Sequence, residues 1–163
     1  MSEFLWAPWR IDYITGPKPS ECIFCTAASN QTEDRKNLVL MRNDHAFIIM
    51  NLYPYNCGHL MAAPLRHISD LTSLNDVEMC ALWEAVRAGI EALSQAMQPH
   101  GFNVGINIGK VAGAGFQDHL HVHIVPRWTG DVNFMPITTD IRVMPELLHQ
   151  TFDRLKPFFT PEK

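Results

Sequence analysis

The stretch His119-Leu120-His121-Val122-His123-Ile124-Val125-Pro126 is the most informative part of this chain. On a β-strand, successive side chains point to opposite faces of the sheet, so the three histidines share one face and the apolar residues share the other. Neighbouring imidazoles are then about 6–7 Å apart along the strand. The alternative is an ordinary solvated face, but threonine, lysine and glutamate are usual there. Three groups that titrate near neutral pH instead indicate a reaction centre.

Two kinds of chemistry fit three imidazoles in a row. In one, two or three of them bind a catalytic zinc ion that activates water. In the other, one imidazole is a nucleophile, and its neighbours orient it and hold a charged substrate. The residues just before the strand help to choose between these two interpretations.

A glycine-rich loop precedes the strand, with the sequence NIGKVAGAGFQ over residues 107–117. Its glycines allow backbone amides to converge on phosphate oxygens, and Asn107 and Gln117 add side-chain donors. The loop has neither the Walker sequence nor the spacing of a dinucleotide-binding fingerprint. By itself a flexible connection explains the glycines equally well, but beside the histidines the loop favours attack of an imidazole on phosphorus.

Composition excludes several classes of partner. The chain has 163 residues, with 13 lysines and arginines against 17 aspartates and glutamates and a formal charge of −4, so an all-over basic surface that grips a long nucleic acid is absent. The longest clean apolar run, residues 46–50, is far shorter than the about 20 residues of a membrane span, and the first residues do not form an export signal. We therefore expect a cytoplasmic protein that binds neither membranes nor long nucleic acids.

Hydrophobic periodicity predicts an α+β fold with an antiparallel sheet, one long helix and a C-terminal helix. Predicted strands cover residues 37–41, 45–51, 58–63, 102–108 and 120–126, and predicted helices cover residues 75–98 and 145–156. We interpret residues 1–163 as a single domain, with an aromatic N-terminal arm at 1–20 and a C-terminal helical tail at 140–163.

Cys22 and Cys25 have the spacing of half a tetrahedral zinc site. A redox dithiol and a pair of inert buried thiols are the alternatives, and zinc is favoured because no strand-to-helix pattern precedes the pair. The candidates for the two further ligands are Cys57, Cys80, His59, His67 and His119. Cys57 and Cys80 are most simply small core residues. The remaining histidines, His45, His100 and His149, are predicted to be solvated.

Residues 119–125 match the signature His-φ-His-φ-His-φ-φ, in which φ is an apolar residue. This is the signature of the histidine-triad (HIT) family of nucleotidyl hydrolases and transferases, and the chain therefore resembles that family. The segment PRWTGDVNF at 126–134 and the segment LWAPWR at 5–10 resemble the bacterial branch that contains diadenosine tetraphosphate phosphorylases. The resemblance implies a histidine-triad fold for the single domain. Family members are commonly two-fold dimers, so a homodimer or higher homo-oligomer is implied as well.

The resemblance also implies roles for individual residues. His121 corresponds to the family's nucleophile, which attacks the α-phosphorus of an AMP-containing nucleotide, and His123 contacts the phosphate and assists the leaving group. The residues that match the base and ribose pocket are Asn51, Leu52 and His59, and those that match the phosphate-side wall are Asn107, Gly113, Ala114, Gly115 and Gln117. The covalent chemistry requires no magnesium.

In zinc-bearing members, the paired cysteines bind the metal together with a histidine after the third strand and the first histidine of the triad. These positions are His67 and His119 here, which implies a structural zinc held by Cys22, Cys25, His67 and His119. Such a zinc would pin the N-terminal segment behind the active strand and fix His119.

The function that follows is cleavage of dinucleoside polyphosphates, such as diadenosine tetraphosphate, or of other adenylated compounds through a nucleotidyl–His121 intermediate. The residues after the triad favour a phosphorylase over a hydrolase. Two alternatives stay open at this stage: a nucleotide-binding or sensing module with weak catalysis, and a zinc-dependent hydrolase that uses the triad as its metal site.

Overall fold

The computed structural model describes residues 21–131 and 146–159. The helices are α1 (Ile23–Ser29), α2 (Asp76–Met97) and α3 (Leu148–Leu155), and the strands are β1 (Val39–Arg42), β2 (Ala46–Met50), β3 (Leu60–Pro64), β4 (Gly101–Ile106) and β5 (Val122–Arg127). Short 3-10 turns lie at Gln31–Glu33, Leu71–Ser73, Lys110–Ala112 and Lys156–Phe159. The arm predicted at 1–20, and the motif residues at 5–10 and 132–134, lie outside the described residues.

The five strands form one antiparallel sheet in the order β1-β2-β3-β5-β4. The first three strands are a meander in chain order, and β5 lies between β3 and β4. His123 of β5 is paired with Met61 of β3 on one side and with Gly105 of β4 on the other. The predicted α+β fold is confirmed, and it places His123 inside the sheet rather than at its edge.

Helix α2 covers one face of the sheet. A Cβ atom added at Gly89 would lie 3.0 Å from Cδ1 of Ile124 and 3.6 Å from Cδ1 of Ile48, so the helix backbone approaches the strands closely there. Because side chains alternate along β5, His123 points to the face opposite to Ile124. On that opposite face, Phe24 of α1 meets Phe47 of β2 edge to face, with ring centroids 6.4 Å apart. The histidine face of the sheet is therefore the face that carries α1.

The long helix agrees with its predicted bounds to within one residue at each end, and both of its ends are capped. The Asn75 side chain accepts from the Glu78 amide at 2.9 Å, and the Glu78 carboxylate accepts from the Asn75 amide at 3.1 Å, which forms a capping box. Gln98 ends the helix in the left-handed conformation, with φ 48°. Arg66 holds the same carboxylate at 2.6 and 2.7 Å, so the start of α2 is tied to the segment after β3.

The start of β5 differs from the sequence prediction. The strand begins at Val122 rather than at 120, because the Leu120 amide donates to the Ile68 carbonyl at 2.6 Å instead of pairing with β3. His119 and His121 thus precede the strand, and the prediction that all three histidines lie within it is wrong. The strand predicted at 102–108 covers Gly101–Ile106, so Asn107 lies in the loop. The first three strands differ from their predicted bounds by at most two residues at either end.

The C-terminal helix lies beside α2, with Phe152 and Leu155 buried, and the 3-10 turn that follows it contacts β1. It begins at Leu148 rather than at 145, and Pro145 is outside the described residues. The Lys156 ammonium that follows it donates to the Leu40 carbonyl at 2.8 Å. No helix among the described residues has both the length and the apolar character needed to cross a bilayer.

Candidate active site and metal group

His121 is nearly fully buried, at 6% exposure, and its orientation is set by the backbone. Its Nδ1 lies 2.9 Å from the His119 carbonyl oxygen. A carbonyl only accepts, so Nδ1 carries the proton and Nε2 keeps the lone pair of the neutral ring. Burial lowers the pKa of His121 and so favours this neutral form. The result is an imidazole with the electronic state that a nucleophile requires.

His123 receives the opposite tautomer through a chain of two hydrogen bonds. The Tyr55 amide donates to Nδ1 of His59 at 3.0 Å, so His59 carries its proton on Nε2. That Nε2 donates to Nδ1 of His123 at 3.0 Å, which places the proton of a neutral His123 on its own Nε2. The Tyr55 ring stacks on the His59 ring with centroids 5.0 Å apart and an interplanar angle of 16°. This stacking and the two bonds hold the His59 ring in one orientation.

The two rings with opposite tautomers are neighbours. The centroids of His121 and His123 are 4.9 Å apart, and their planes meet at 77°. One Nε2 therefore offers a lone pair, and the adjacent Nε2 offers an N–H. A nucleophile beside a proton donor is the combination that cleavage of a phosphoric anhydride needs.

The residues predicted for the base and ribose pocket occupy the turn between β2 and β3. The Asn51 amide donates to the His59 carbonyl at 2.9 Å, and its side chain accepts from the Tyr53 amide at 2.9 Å. Leu52 is exposed near the start of this turn. His59 is buried at 1% exposure, and its ring contacts the His123 ring on the protein side of the triad. Contacts of these three residues with a nucleotide stay a prediction.

The glycine-rich loop makes a compact turn before the triad. Gly109 and Gly113 have φ values of 80° and 85°, which favour glycine. The Gly113 amide donates to the Lys110 carbonyl at 3.1 Å, and the Ala114 amide donates to the Gly109 carbonyl at 3.4 Å. These two amides are thus used within the loop. Ala114 is buried, Gly115 and Gln117 are exposed and Asn107 is half-buried, and their predicted phosphate contacts stay a prediction.

The fold brings the four predicted metal ligands together, and we call these four residues the metal group. Cys22, Cys25, His67 and His119 place their ligand atoms within 4.8 Å of one another. Sγ of Cys22 is 3.3 Å from Nδ1 of His119, and Sγ of Cys25 is 3.3 Å from Nδ1 of His67 and 3.6 Å from Nδ1 of His119. Sulfur and nitrogen ligands of a tetrahedral zinc are about 3.5 Å apart, so the donor set and its spacing fit this ion.

The His119 ring is oriented for this role. Its Nε2 donates to the Pro64 carbonyl at 2.8 Å, so the lone pair of the neutral ring is on Nδ1, which faces the two sulfurs. Burial lowers the pKa of His119, in keeping with the neutral form. The first histidine of the signature therefore faces the cysteines through Nδ1.

The structure also locates the remaining cysteines and histidines. Cys57 is buried as predicted, but the prediction of a core position for Cys80 is wrong, because it lies on the solvent side of α2, next to the buried stripe that contains Ala81 and Leu82. His45, His100 and His149 are exposed as predicted. The Arg127 guanidinium donates to the Asp131 carboxylate at 2.6 and 2.8 Å.

Two aromatic residues of the site were not predicted. Phe24 stacks on His121, and Tyr55 stacks on His59. Phe24 lies inside the Cys-x-x-Cys motif, so its nearness to the metal group was available from the sequence, whereas its contact with His121 depends on tertiary packing. No signal in the sequence points to the Tyr55 amide as a partner of His59.

A five-stranded antiparallel sheet that carries a histidine triad at the start of its fourth strand in spatial order defines a histidine-triad protein. The HIT domain family model matches residues 32–130, and the chain belongs to the HIT family. It is 40% identical over 154 residues to the AP-4-A phosphorylase of Mycobacterium tuberculosis strain H37Rv, covering 90% of this chain and 79% of that one.

Two further comparisons agree with this assignment. The adenosine 5′-monophosphoramidase hnt1 of Schizosaccharomyces pombe is 28% identical over 106 residues, covering 65% of this chain and 74% of that one. Among solved structures, a Zn-bound histidine triad family protein from Mycobacterium smegmatis shares the fold, with a TM-score of 0.66 at 22% identity, over 85% of this chain and 93% of that one.

Proposed function

We propose that this protein is a nucleotidyl-transferring enzyme that cleaves dinucleoside polyphosphates, such as diadenosine tetraphosphate, or other adenylated compounds through a covalent intermediate on His121. The observation that carries the proposal is the pair of opposite tautomers, with a lone pair on Nε2 of His121 and an N–H on Nε2 of His123. The similarity to an AP-4-A phosphorylase over most of both chains supports this substrate class.

In the first step, Nε2 of His121 uses its lone pair to form a bond with the α-phosphorus. The bond from that phosphorus to the bridging oxygen breaks, and its electron pair leaves with the polyphosphate. Nε2–H of His123 donates to the departing oxygen. The Nδ1–H of His121 stays bonded to the His119 carbonyl at 2.9 Å, and this acceptor stabilises the positive charge that develops on the substituted ring.

In the second step, an acceptor oxygen attacks the phosphorus, and the P–N bond returns its electrons to Nε2 of His121. The proton that the acceptor loses passes to Nε2 of His123, which restores the starting state. With inorganic phosphate as acceptor, the nucleotidyl group leaves as ADP; with water, it leaves as AMP. We propose phosphate as the acceptor. The similarity to a phosphorylase and the sequence after the triad, at 126–134, support this choice.

We further propose that Cys22, Cys25, His67 and His119 hold a structural zinc ion. When bound, zinc would cross-link the start of α1 to the segment that follows β3 and to the residues that precede β5, and it would supply no chemistry on the substrate. A catalytic zinc held by all three histidines is disfavoured by geometry. Nε2 of His119 donates to the Pro64 carbonyl while its Nδ1 faces the sulfurs, and Nε2 of His123 carries the ring proton rather than a lone pair. The chemistry of His121 requires no magnesium ligand.

The remaining features of the proposal concern assembly and location. We propose a single-domain cytoplasmic protein that forms a homodimer or a higher homo-oligomer and binds neither membranes nor long nucleic acids. In the described sheet β4 is an edge strand, and its Asn103, Val104 and Gly105 are exposed, so it is available for pairing with a second copy.

Product analysis tests the proposal. The protein is incubated with diadenosine tetraphosphate with and without inorganic phosphate, and ATP, ADP and AMP are quantified. ADP and ATP that appear only with phosphate support the phosphorylase, and AMP and ATP in both conditions support the hydrolase. Nucleotide binding without turnover in either condition would support the binding module instead.

The nucleophile is tested by trapping the adduct. His121→Ala should form no acid-labile nucleotidyl–protein adduct, because the attacking nitrogen is gone. His149→Ala, which removes an exposed histidine of α3, should form it at the wild-type level. An adduct that persists in His121→Ala would overturn the assignment.

A further inference from the structure

Phe24 lies between the metal group and the candidate nucleophile. It is part of α1, one residue before Cys25 and two residues after Cys22, and it is 1% exposed. Its ring stacks on His121 with centroids 4.9 Å apart and an interplanar angle of 28°, and it lies 5.1 Å from the His119 ring at 36°. One aromatic side chain thus contacts both a candidate metal ligand and the candidate nucleophile.

The His121 ring is confined by three different neighbours. Phe24 stacks on its face, the His123 ring meets it at 77°, and the His119 carbonyl accepts its Nδ1–H. The hydrogen bond selects the tautomer, but it still allows the ring to tilt about the bonded atom. The stacked Phe24 ring blocks this tilt, because interiors are close-packed and leave no room for a displaced ring. The direction of the Nε2 lone pair therefore depends on Phe24.

Phe24 is held by ring contacts with the sheet and the loop and by the contacts of the two flanking cysteines. Its ring meets Phe47 of β2 at 6.4 Å and Phe116 of the glycine-rich loop at 5.9 Å, both edge to face. Its helix has only 7 residues and no side-chain cap at Cys22, so it is too short to be stable on its own. The sulfurs on either side of Phe24 lie 3.3 Å from ring nitrogens of His119 and His67, and these contacts tie α1 to the sheet.

We propose that Phe24 is a positioning residue for His121, and that the metal group affects the reaction through it by holding the Phe24 ring against the imidazole. This inference rests on the proposed function, in which His121 is the nucleophile. An aligned attack depends steeply on geometry, and a displacement of about 1 Å costs about a hundredfold in rate. Loss of the Phe24 ring should therefore slow formation of the intermediate while leaving substrate binding nearly unchanged.

The first test replaces the ring with an aliphatic side chain. In Phe24→Leu, we expect the single-turnover rate of adduct formation to fall about tenfold to hundredfold, with KM changed by less than about threefold. Phe152→Leu makes the same substitution at a buried position of α3 and should change the rate by less than about threefold. Equal rates in the two variants would overturn the proposal.

A spectroscopic readout separates positioning from general loss of stability. The ¹⁵N resonances of the His121 side chain should report a single Nδ1–H tautomer in the wild type and in Phe152→Leu. In Phe24→Leu, they should shift towards an average of tautomers or broaden, while the zinc content stays at the wild-type value. An unchanged His121 spectrum in Phe24→Leu would overturn the proposal even if activity fell.

The connection to the metal group is tested by combining changes. If the metal group acts through Phe24, its removal in Cys22→Ser and the change Phe24→Leu should not be additive. We expect the double variant to be less than about threefold slower than Cys22→Ser alone; chelator-treated wild type and Phe24→Leu give the same comparison without a cysteine change. Independent, multiplying effects would contradict this connection. Persistence of the adduct in His121→Ala would instead contradict the proposed function, so the two failures are distinguishable.

Discussion

Nε2 of His59 donates a 3.0 Å hydrogen bond to Nδ1 of His123, across 64 positions of the chain. This bond explains why a buried histidine lies behind the triad. The Tyr55 amide fixes the proton of His59 on Nε2, and His59 in turn fixes the proton of His123 on the nitrogen that is not bonded to His59. In the proposed mechanism, we therefore expect His59 to affect the reaction through His123.

The first prediction concerns His59. In His59→Phe, the ring can still stack on Tyr55 but no longer donates to His123, so the Nε2–H tautomer of His123 is no longer enforced. We expect kcat to fall about tenfold to hundredfold for the polyphosphate leaving group, because proton donation contributes about 10²-fold or more. An adenylate ester of a dinitrophenol, which is much more acidic than the polyphosphate, should be affected much less, since its leaving group needs no proton. Equal losses with both substrates would show that His59 has another role.

The second prediction concerns the metal group. Purified wild-type protein should contain about one zinc per chain, and Cys25→Ser should lose it, because three ligands remain of the four that a structural site requires. A free zinc concentration about 1,000-fold above the dissociation constant stabilises the wild type by about 4 kcal/mol, and this increment should vanish in the variant. Chemical unfolding with and without zinc measures it.

Two controls accompany this measurement. Cys80→Ser removes an exposed thiol outside the group and should keep both zinc and stability. His121→Ala should also keep zinc, because His121 is not among the four ligands. Zinc that survives in Cys25→Ser but is lost in His121→Ala would point to a catalytic metal on the triad.

The third prediction concerns acid stability. The Arg66 guanidinium and the Asn75 amide bind the Glu78 carboxylate and lower its pKa to about 2. A carboxyl whose pKa is lower in the folded state contributes stability above its unfolded pKa of 4.5, and this contribution is lost as the pH falls from there towards 2. Glu78→Gln should therefore unfold more easily than wild type at pH 6, and the difference should shrink on acidification.

Urea unfolding at pH 6, 5, 4 and about 3 measures this difference, and about 3 is the lowest practical point. Glu84→Gln, which changes an exposed acid on the same helix, controls for the loss of one negative charge. A gap between wild type and Glu78→Gln that is constant over this range would show that the ion pair with Arg66 does not contribute through ionisation.

The fourth prediction concerns the turn that leads into His59. Gly58 has φ 76°, and a Cβ atom there would lie 2.8 Å from Sδ of Met97 and 2.9 Å from Cδ2 of Leu93. Gly58→Ala should cost about 1–2 kcal/mol for the left-handed backbone and about 1–3 kcal/mol for overpacking against α2. Gly130 has φ 81° with nothing within 4 Å of an added Cβ, so Gly130→Ala should lose only the stability that the left-handed backbone costs. Equal destabilisation of the two variants would rule out the packing contribution.

The long helix and the metal group show what local sequence predicts well. Hydrophobic periodicity predicted the long helix to within one residue at each end, and its first turn is fixed by the nearby pair Asn75 and Glu78. The family signature predicted which histidine faces the cysteines, and Cys22, Cys25, His67 and His119 do converge. In each case the information is local or belongs to a motif.

Other features depended on long-range contacts. The amide of Leu120 pairs with Ile68, so His119 and His121 leave the strand that the alternating pattern predicts. Cys80 has apolar neighbours in sequence, but the face of α2 that meets the sheet is one residue further along, and the thiol is exposed. Neither result follows from composition or periodicity.

By itself, the sequence determined the fold class, the three histidines of the proposed reaction centre and the residue types of the candidate metal group, because these depend on residue identity and on spacing along the chain. Only the tertiary structure decided which nitrogen of each histidine carries its proton and which ring holds His121 in place. Those properties depend on partners such as the Tyr55 amide, the His119 carbonyl and the Phe24 ring. A hydrogen bond or a stacked ring acts over a few ångströms in space, and folding alone brings such partners within that distance.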